Sequence, residues 1–254
     1  MKIIIAPAKK MVVDQDSFDV ADHPQYLAEA QRILAVMQTL TYEQAKTMWH
    51  ASDKLAQPAF EVLQHTDLTR QLTPALIAYS GIQYQYMAPG VFTAPALAYV
   101  QENLRILSGF YGILRPFDGI VPYRLEMQSA IQIDHSANLY DFWGAKLYTA
   151  LHFDQGPVVN LASKEYAAAI TPYMQADDQL ITVKFGSLID GQLKTRATHA
   201  KMARGEMVRY MAENNVTTVD QLRAFHHAHF QFDSTRSTAT TLTFVEPAAP
   251  YHQR

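Results

Sequence analysis

Hydrophobic and polar residues follow two patterns along the chain, one typical of buried strands and one typical of helices. Short apolar runs bounded by turn residues predict four central strands. These runs are Lys2–Ala6, Ala75–Tyr79, Pro157–Leu161 and Leu180–Phe185. Two later segments, His229–Asp233 and Thr240–Val245, alternate with a period of two, which predicts antiparallel strands at the edge of the sheet.

Apolar residues spaced three or four apart predict helices between these strands. The expected helices are Pro24–Leu40, Tyr42–His50, Ser52–His65, Pro95–Asn103, Leu139–Phe153, Lys164–Ile170, Thr198–Asn214 and Val219–Phe225. The alternation predicts an α/β fold with a mostly buried, mixed central sheet flanked by helices. Because the chain has no low-complexity linker and no fixed-period repeat, we expect a single domain over residues 1–254.

Composition narrows the class of protein. The 254 residues are 48% hydrophobic and 18% charged, which is typical of a soluble globular protein. No run of about 18 apolar residues is present, and the N-terminal run Ile3–Ala6 is too short for a secretion signal, so we expect a cytoplasmic protein. The absence of cysteine excludes disulfides, thiolate metal sites and a thiol-based peroxide cycle.

The net charge of −3 hides an uneven distribution of charged residues. Residues 14–29 carry five acids and no lysine or arginine, whereas residues 184–209 carry six bases and two acids. Since affinity for a polyanion follows local charge, a basic face could bind nucleic acid despite the negative total. The same pattern also suits an ordinary solvated helix, and the charges alone do not decide between the two.

Motifs that identify several enzyme classes are absent from the sequence. It contains no P-loop, no Rossmann glycine pattern, no His-Glu-x-x-His and no Gly-x-Ser-x-Gly. No haem or flavin signature is present either, and we expect no cofactor. His226, His227, His229 and Asp233 could form at most a weak iron site, and an exposed strand start is the stronger interpretation. We therefore expect no resident metal.

The segment Leu104–Met127 has the most unusual composition, with three arginines, three glycines, two prolines and four aromatic residues. Its residues 107–112 predict a tight hairpin, and the flanking helix gives residues from about 95 to 118 the outline of a helix-hairpin-helix. In that motif glycine amides contact a phosphate, because a missing Cβ permits close approach. Two residues separate the glycines where the common hairpin has one, and Leu104–Leu107 could equally be a strand entering a tight turn.

Charged and polar side chains follow the predicted strands at their carboxyl ends. In open α/β sheets ligand crevices form at these ends, so we expect the residues to converge if the first and third strands are neighbours. The cleft would be a catalytic or anion-binding pocket, or alternatively a buried ion-pair network that fixes the loops. Its expected members at the strand ends are Lys9, Asn160, Lys164 and Glu165, and Arg124 and Glu126 could complete it with paired charges.

Six segments together resemble one known family along nearly the whole chain. They are APAK (6–9), LSGFYGILRPFD (107–118), PYRLEM (122–127), LYDFWG (139–144), NLASKEY (160–166) and KMARGEMVR (201–209). In their order and number these segments resemble the YaaA family of bacterial peroxide-stress-resistance proteins. The chain departs from the pattern in three places. Residues 79–84 read Tyr-Ser-Gly-Ile-Gln-Tyr where many members have Phe-Lys-Gly-Asp-Val-Tyr, which removes a lysine and an acid. Lys10 replaces a usual threonine, and His229-Phe230 replaces Gly-Tyr.

The resemblance implies a fold peculiar to the family and a cytosolic protein that limits peroxide damage to DNA and lowers available iron. It also implies DNA binding without sequence specificity, through a helix-hairpin-helix and a basic cleft; we expect a monomer that does not bind membranes. The implied hairpin contacts are Ser108, Gly109, Tyr111 and Gly112. The implied basic contacts are Lys9, Arg115, Arg124, Lys164, Lys201 and Arg204.

An enzyme is the alternative to a DNA-binding protein, and the sequence leaves this choice open. The substrate would be nucleotide-like or a nucleic acid, bound in the cleft of Lys9, Arg124, Glu126 and Lys164. Glu126, Lys164 and Glu165 are the candidates for acid–base chemistry.

Overall fold

A mixed sheet forms the centre of the molecule. The computed structural model describes residues 1–246, and residues 247–254 of the predicted domain lie outside the described residues. The strands of residues 1–246 are β1 (Lys2–Ile5), β2 (Thr73–Pro74), β3 (Leu104–Ser108), β4 (Gly112–Leu114), β5 (Gly119–Ile120), β6 (Val158–Asn160), β7 (Leu180–Ile189), β8 (Gln192–Lys194), β9 (Gln231–Phe232) and β10 (Thr241–Glu246).

The main sheet has eight strands, seven of them in the order β4-β3-β1-β6-β7-β10-β9, while β8 pairs with β7. Strands β3, β1, β6, β7 and β10 run parallel, and β4, β8 and β9 are antiparallel to their neighbours. The remaining strands, β2 and β5, form a separate antiparallel pair. The predicted α/β fold with a mixed sheet is confirmed. The prediction of an antiparallel edge strand at 240–245 is wrong in two respects, because β10 lies inside the sheet between β7 and β9 and runs parallel to β7.

Helices cover the sheet. Those of the described residues are α1 (Leu27–Gln38), α2 (Tyr42–Met48), α3 (Asp53–His65), α4 (Ala75–Ala78), α5 (Ile82–Met87), α6 (Ala94–Asn103), α7 (Leu139–Trp143), α8 (Lys146–Thr149), α9 (Lys164–Ala167), α10 (Ala197–Glu213) and α11 (Val219–Leu222). Single 3-10 turns lie at Pro89–Val91, Phe153–Gln155, Thr171–Tyr173 and Ser234–Arg236. None of the helices in residues 1–246 has the length and hydropathy to cross a membrane.

Two predicted elements take another form. The apolar run predicted as a strand at Ala75–Tyr79 forms α4 instead, directly after the two residues of β2. The helix predicted over Leu139–Phe153 is interrupted at Gly144, whose φ of 49° and ψ of −140° lie outside the helical region. This residue ends α7, and the chain resumes as α8 two residues later.

The helix-hairpin-helix predicted near 95–118 has a helix only on its first side. After α6 the chain enters β3, which pairs with β1 in parallel and with β4 in an antiparallel hairpin. Ile106 and Leu107 are completely buried in this sheet. A second helix does not form, because the residues after the turn pair with β3 as a strand.

Helix α10 is placed over the sheet by its close packing on α5. Gly205 makes this approach possible, because a Cβ at this position would lie only 2.1 Å from the carbonyl oxygen of Gln83. The contact brings the first half of α10, with Lys201 and Arg204, to the carboxyl ends of the central strands.

Candidate functional site

A cleft opens at the carboxyl ends of β1 and β6. The chain leaves β1 to reach β3 on one side and leaves β6 to reach β7 on the other. Loops that diverge in this way leave a crevice between neighbouring strands, which is where open α/β sheets bind ligands. The cavity at this point has a volume of about 480 Å³. Its lining, which we call the cleft, is Ala6–Lys10, Gly81–Tyr84, Tyr123–Glu126, Ser163, Glu165, Tyr166, Lys201 and Arg204.

Basic side chains outnumber acidic ones in the cleft. Two carboxylates, Glu126 and Glu165, face five basic groups. The basic groups come from three parts of the chain: the loop after β1, the loop after β5 and helix α10. They are Lys9, Lys10, Arg124, Lys201 and Arg204. The cleft is therefore an attractive environment for an anion.

Two guanidinium groups of the cleft have a buried nitrogen without a partner. The Nε atoms of Arg124 and Arg204 are shielded from solvent and make no hydrogen bond within residues 1–246. Burial also lowers the pKa of the Arg204 guanidinium below its ordinary value. Because buried N–H donors are nearly always paired in folded proteins, these two groups are suited to acceptor atoms supplied by a ligand.

The two carboxylates have different surroundings. Glu126 forms an ion pair with Lys9, whose Nζ lies 2.5 Å from Oε1. Glu165 accepts a hydrogen bond from the backbone N–H of Gln128 at 3.3 Å. Burial raises the pKa of Glu165, and the nearby charge of Glu126 raises it further. The environment of Glu165 therefore favours its protonated form.

Tyrosine hydroxyl groups support the floor of the cleft. The hydroxyl of Tyr123 lies 2.7 Å from that of Tyr79 and 2.7 Å from Oγ of Ser108. Tyr84 donates a hydrogen bond to the carbonyl of Ala6 at 3.0 Å. Burial raises the pKa of Tyr123 to about 12, so its hydroxyl stays neutral near neutral pH. These groups orient the loops without adding negative charge.

Six residues predicted from the sequence meet in the cleft. They are Lys9, Arg124, Glu126, Glu165, Lys201 and Arg204. Other polar groups of the lining were not predicted, among them Lys10, Gln83 and Tyr166. Lys10 directly follows Lys9 and Tyr166 directly follows Glu165, so their position after a predicted strand could have indicated them. Gln83 comes from α5, a helix that the sequence pattern did not predict.

Three other predicted residues lie outside the cleft lining. Arg115 directs its guanidinium to the carboxylates of Asp118 and Asp22, each 3.0 Å away. Asn160 is buried, where its Oδ1 accepts a hydrogen bond from the backbone of Ala162. Lys164 is exposed at the first residue of α9. Arg115 and Asn160 therefore make contacts within the fold, and Lys164 faces solvent outside the cleft.

The turn predicted to bind phosphate, residues 108–112, is buried. Ser108 and Tyr111 are 0% exposed, and Oγ of Ser108 accepts the backbone N–H groups of Phe110 and Tyr111. A Cβ at Gly109 would lie 2.8 Å from the backbone of Glu126, and one at Gly112 would lie 2.7 Å from the ring of Trp143. The two glycines therefore permit close approach to the protein itself. Contrary to the prediction, this turn offers no surface to a phosphate.

The histidine cluster is not arranged as a metal site. Asp233 caps the turn Ser234–Arg236 and pairs with Arg236, and His227 lies 3.4 Å from Glu206. His226 is exposed. Within residues 1–246 no group of three or more histidine or carboxylate side chains could hold a metal ion.

Comparison with known proteins establishes the family. A model of the family described as peroxide stress protein YaaA matches residues 1–236. The chain belongs to the YaaA family. Three relatives, each named UPF0246 protein, match over nearly their whole length. The protein of Lactiplantibacillus plantarum is 59% identical over 245 residues, which cover 96% of this chain and 99% of the relative.

The other two relatives are similarly close. That of Lacticaseibacillus paracasei is 57% identical over 245 residues, with 96% of this chain and 99% of the relative covered. That of Pediococcus pentosaceus is 56% identical over 246 residues, with coverages of 97% and 98%. In this YaaA-family chain the segment 79–84 contributes Gly81, Ile82, Gln83 and Tyr84 to the cleft.

Proposed function

We propose that this peroxide stress protein binds the phosphate groups of DNA in the cleft, without sequence specificity, and thereby helps to limit iron-driven oxidative damage. In this proposal it acts in the cytoplasm as a monomer. The observation that carries the proposal is the pair of half-buried arginines, Arg124 and Arg204, whose buried Nε atoms have no partner within residues 1–246. The surplus of basic groups around them supports it.

Phosphate fits these groups chemically. A guanidinium presents several N–H donors in a plane, which matches the oxygens of a phosphate, and its charge strengthens each hydrogen bond. Contacts to the phosphate backbone carry no sequence information, so binding of this kind is independent of sequence. A protein without cysteine has no thiol with which to reduce peroxide, which favours protection of the DNA itself.

The test is the salt dependence of DNA affinity. Fluorescence anisotropy of a labelled oligonucleotide would be recorded at salt concentrations from about 50 to 200 mM. We expect the affinity to fall steeply with salt, with a slope of about 0.7 to 0.9 per neutralised phosphate in the logarithmic plot. Binding that is independent of salt, or no binding at about 50 mM salt, would contradict the proposal.

A second candidate is an enzyme that acts on a nucleotide-like or nucleic-acid substrate in the same cleft. The raised pKa of Glu165 beside the Lys9–Glu126 pair favours it, because Glu165 could donate a proton while Glu126 accepts one. Incubation with nucleotides and oligonucleotides, followed by product analysis, tests this candidate. Products that disappear in Glu165→Gln and Glu126→Gln would support it. Binding without any conversion would remove it and leave the DNA-binding proposal standing.

A further inference from the structure

A second cavity, of about 230 Å³, adjoins the cleft. It lies beside helices α1 and α3, and its walls are mostly apolar. We call it the apolar annex, and its principal walls are Leu34, Met37, Trp49, Val62, Phe110 and Pro122. Val62 is 53% exposed, although it is a large hydrophobic residue, so the annex can be reached from solvent at this position.

The annex and the cleft share part of their lining. Lys9, Tyr123 and Arg124 belong to both cavities. A single ligand could therefore place an anionic group in the cleft and an apolar group in the annex, with Arg124 between them. The rings of Tyr123 and Phe110 stack with centroids 4.9 Å apart, which gives the annex an aromatic wall.

Two residues of the annex lining, Trp49 and Arg124, each have a buried side-chain N–H without a partner in residues 1–246. The indole Nε1 of Trp49 is buried and makes no hydrogen bond within residues 1–246. A hydrocarbon chain in the annex would leave this N–H group unpaired, which is unfavourable for a buried donor. A flat heteroaromatic ring would both cover the apolar and aromatic walls and offer an acceptor to the indole.

We infer that the apolar annex is a subsite for the base of a nucleotide whose phosphate lies in the cleft. This inference rests on the proposed function and names the form of nucleic acid that the site takes. A paired base stacked within a duplex cannot enter the annex unless it is first extruded, which breaks its pairing and stacking contacts. The protein therefore selects unpaired nucleic acid that carries its bases.

The first experiment compares two single-stranded oligomers of equal length and equal phosphate number by fluorescence anisotropy. One is oligothymidine, and the other has an abasic tetrahydrofuran spacer at every position. Because stacking of a base on aromatic side chains strengthens the binding of single strands, we expect the wild-type protein to bind oligothymidine about tenfold more tightly. Equal affinity for the two oligomers would overturn the inference while leaving the proposed function intact. Failure of both to bind would overturn the proposed function itself.

Variants at the mouth of the annex locate the effect. Val62→Phe adds a ring to an exposed position of α3 that lines the annex. We expect it to reduce the affinity for oligothymidine to that for the abasic oligomer, and to leave the latter unchanged. Val91→Phe is the matched control, because Val91 is 65% exposed and belongs to neither lining. Preserved discrimination in Val62→Phe, or its loss in Val91→Phe, would overturn the assignment.

Tryptophan fluorescence supplies a second readout. The chain has two tryptophans, and the other, Trp143, is buried and donates a hydrogen bond to the carbonyl of Gly109. We expect oligothymidine, but not the abasic oligomer, to change the emission of the wild-type protein, and Trp49→Phe to abolish that change. Displacement of oligothymidine by an equal nucleotide concentration of thymidine monophosphate would assign the annex to free nucleotides and overturn the preference for a strand.

Discussion

The cleft and the turn between β3 and β4 lie side by side, but the turn packs against the protein itself, whereas the cleft faces solvent. The turn has the more conspicuous sequence, but its glycines make room for Trp143 and for the backbone of Glu126. The cleft is assembled from less conspicuous residues and is open to solvent. The two are coupled, since packing of Gly109 against residue 126 holds the loop that carries Arg124 and Glu126. The turn is thus part of the wall that shapes the cleft.

This difference shows what a glycine-rich segment does and does not indicate. A glycine where the backbone comes close to another atom predicts a close approach, but it does not say whether that atom belongs to a ligand or to the protein. Position in the sheet is more informative here. The loops after β1 and β6 follow neighbouring parallel strands whose connections diverge, and such loops form a crevice in any open α/β sheet.

The largest effect is expected at the turn, in Gly112→Ala. Gly112 and Gly191 share a φ of +74°, but an added Cβ meets the ring of Trp143 at the first and open space at the second. Left-handed strain in Gly191→Ala should lower the free energy of unfolding by about 1–2 kcal/mol. Overpacking should add about 1–3 kcal/mol to the loss in Gly112→Ala. Denaturant unfolding measures both, and equal losses would contradict a buried turn.

The second-largest effect is expected from substituting an arginine of the cleft, and an arginine near the turn serves as the comparison. Arg204→Gln should weaken DNA binding about tenfold, because a hydrogen bond to a charged group contributes about 1.5–3 kcal/mol. Arg115→Gln should leave the affinity unchanged. It should instead lower the free energy of unfolding by about 1–3 kcal/mol, since the buried carboxylate of Asp118 loses its charged partner. Anisotropy measures the DNA affinity of both variants, and denaturant unfolding measures their stability. Weaker DNA binding in Arg115→Gln, with unchanged binding in Arg204→Gln, would place the phosphate site at the turn.

The third effect concerns pH. Because burial raises the pKa of Glu165 in the folded protein, the unfolded chain ionises first, and stability falls as pH rises above the ordinary value of 4.5. Glu165→Gln should therefore be more stable than wild type at neutral pH, and the difference should vanish below that value. It should also bind DNA more tightly at neutral pH, since a negative charge is removed from the cleft.

Thermal unfolding across the pH range measures this difference. Glu61→Gln, at an exposed position of α3, is the control for the charge change alone. If the stability advantage of Glu165→Gln were the same at every pH, or equal to that of Glu61→Gln, the buried position of Glu165 would not be its cause.

The smallest effect concerns the rim of the cleft. Lys201 and Lys164 are both exposed, but only Lys201 is part of the lining. Lys201→Ala should weaken DNA binding by less than about 1 kcal/mol, as is usual for an exposed charge. Lys164→Ala should have no effect. Titration of both variants with DNA under the same conditions compares their affinities. A larger loss of affinity in Lys164→Ala would indicate that the site lies nearer to α9.

Much of the fold could be predicted from the sequence, because apolar periodicity reports burial directly. Strand β1, whose three isoleucines are all 0% exposed, and the long helix α10 are clear examples. The strand predicted at Ala75–Tyr79 was wrong, because a short apolar segment suits a strand and a buried helix equally well. The break at Gly144 depends on a backbone conformation that periodicity does not report.

The candidate site was predicted in outline but not in detail. The convergence of Lys9 and Glu165 follows from strand ends and could be anticipated. The apolar annex could not, since its walls come from α1, α3 and the turn at Phe110, segments far apart in the chain that ordinary core residues would occupy equally well. Only the three-dimensional arrangement shows that these side chains border a cavity.

Hydrogen–deuterium exchange, recorded with and without a saturating single-stranded oligonucleotide at low salt, tests most directly whether the cleft receives the phosphates. We predict slower exchange in residues 6–10, 81–84, 122–127 and 197–204, which the addition of salt should reverse. Residues 107–114 should exchange slowly in both states, because they are already buried. Unchanged exchange throughout the cleft, with new protection elsewhere on the surface, would contradict a phosphate site at the carboxyl ends of β1 and β6.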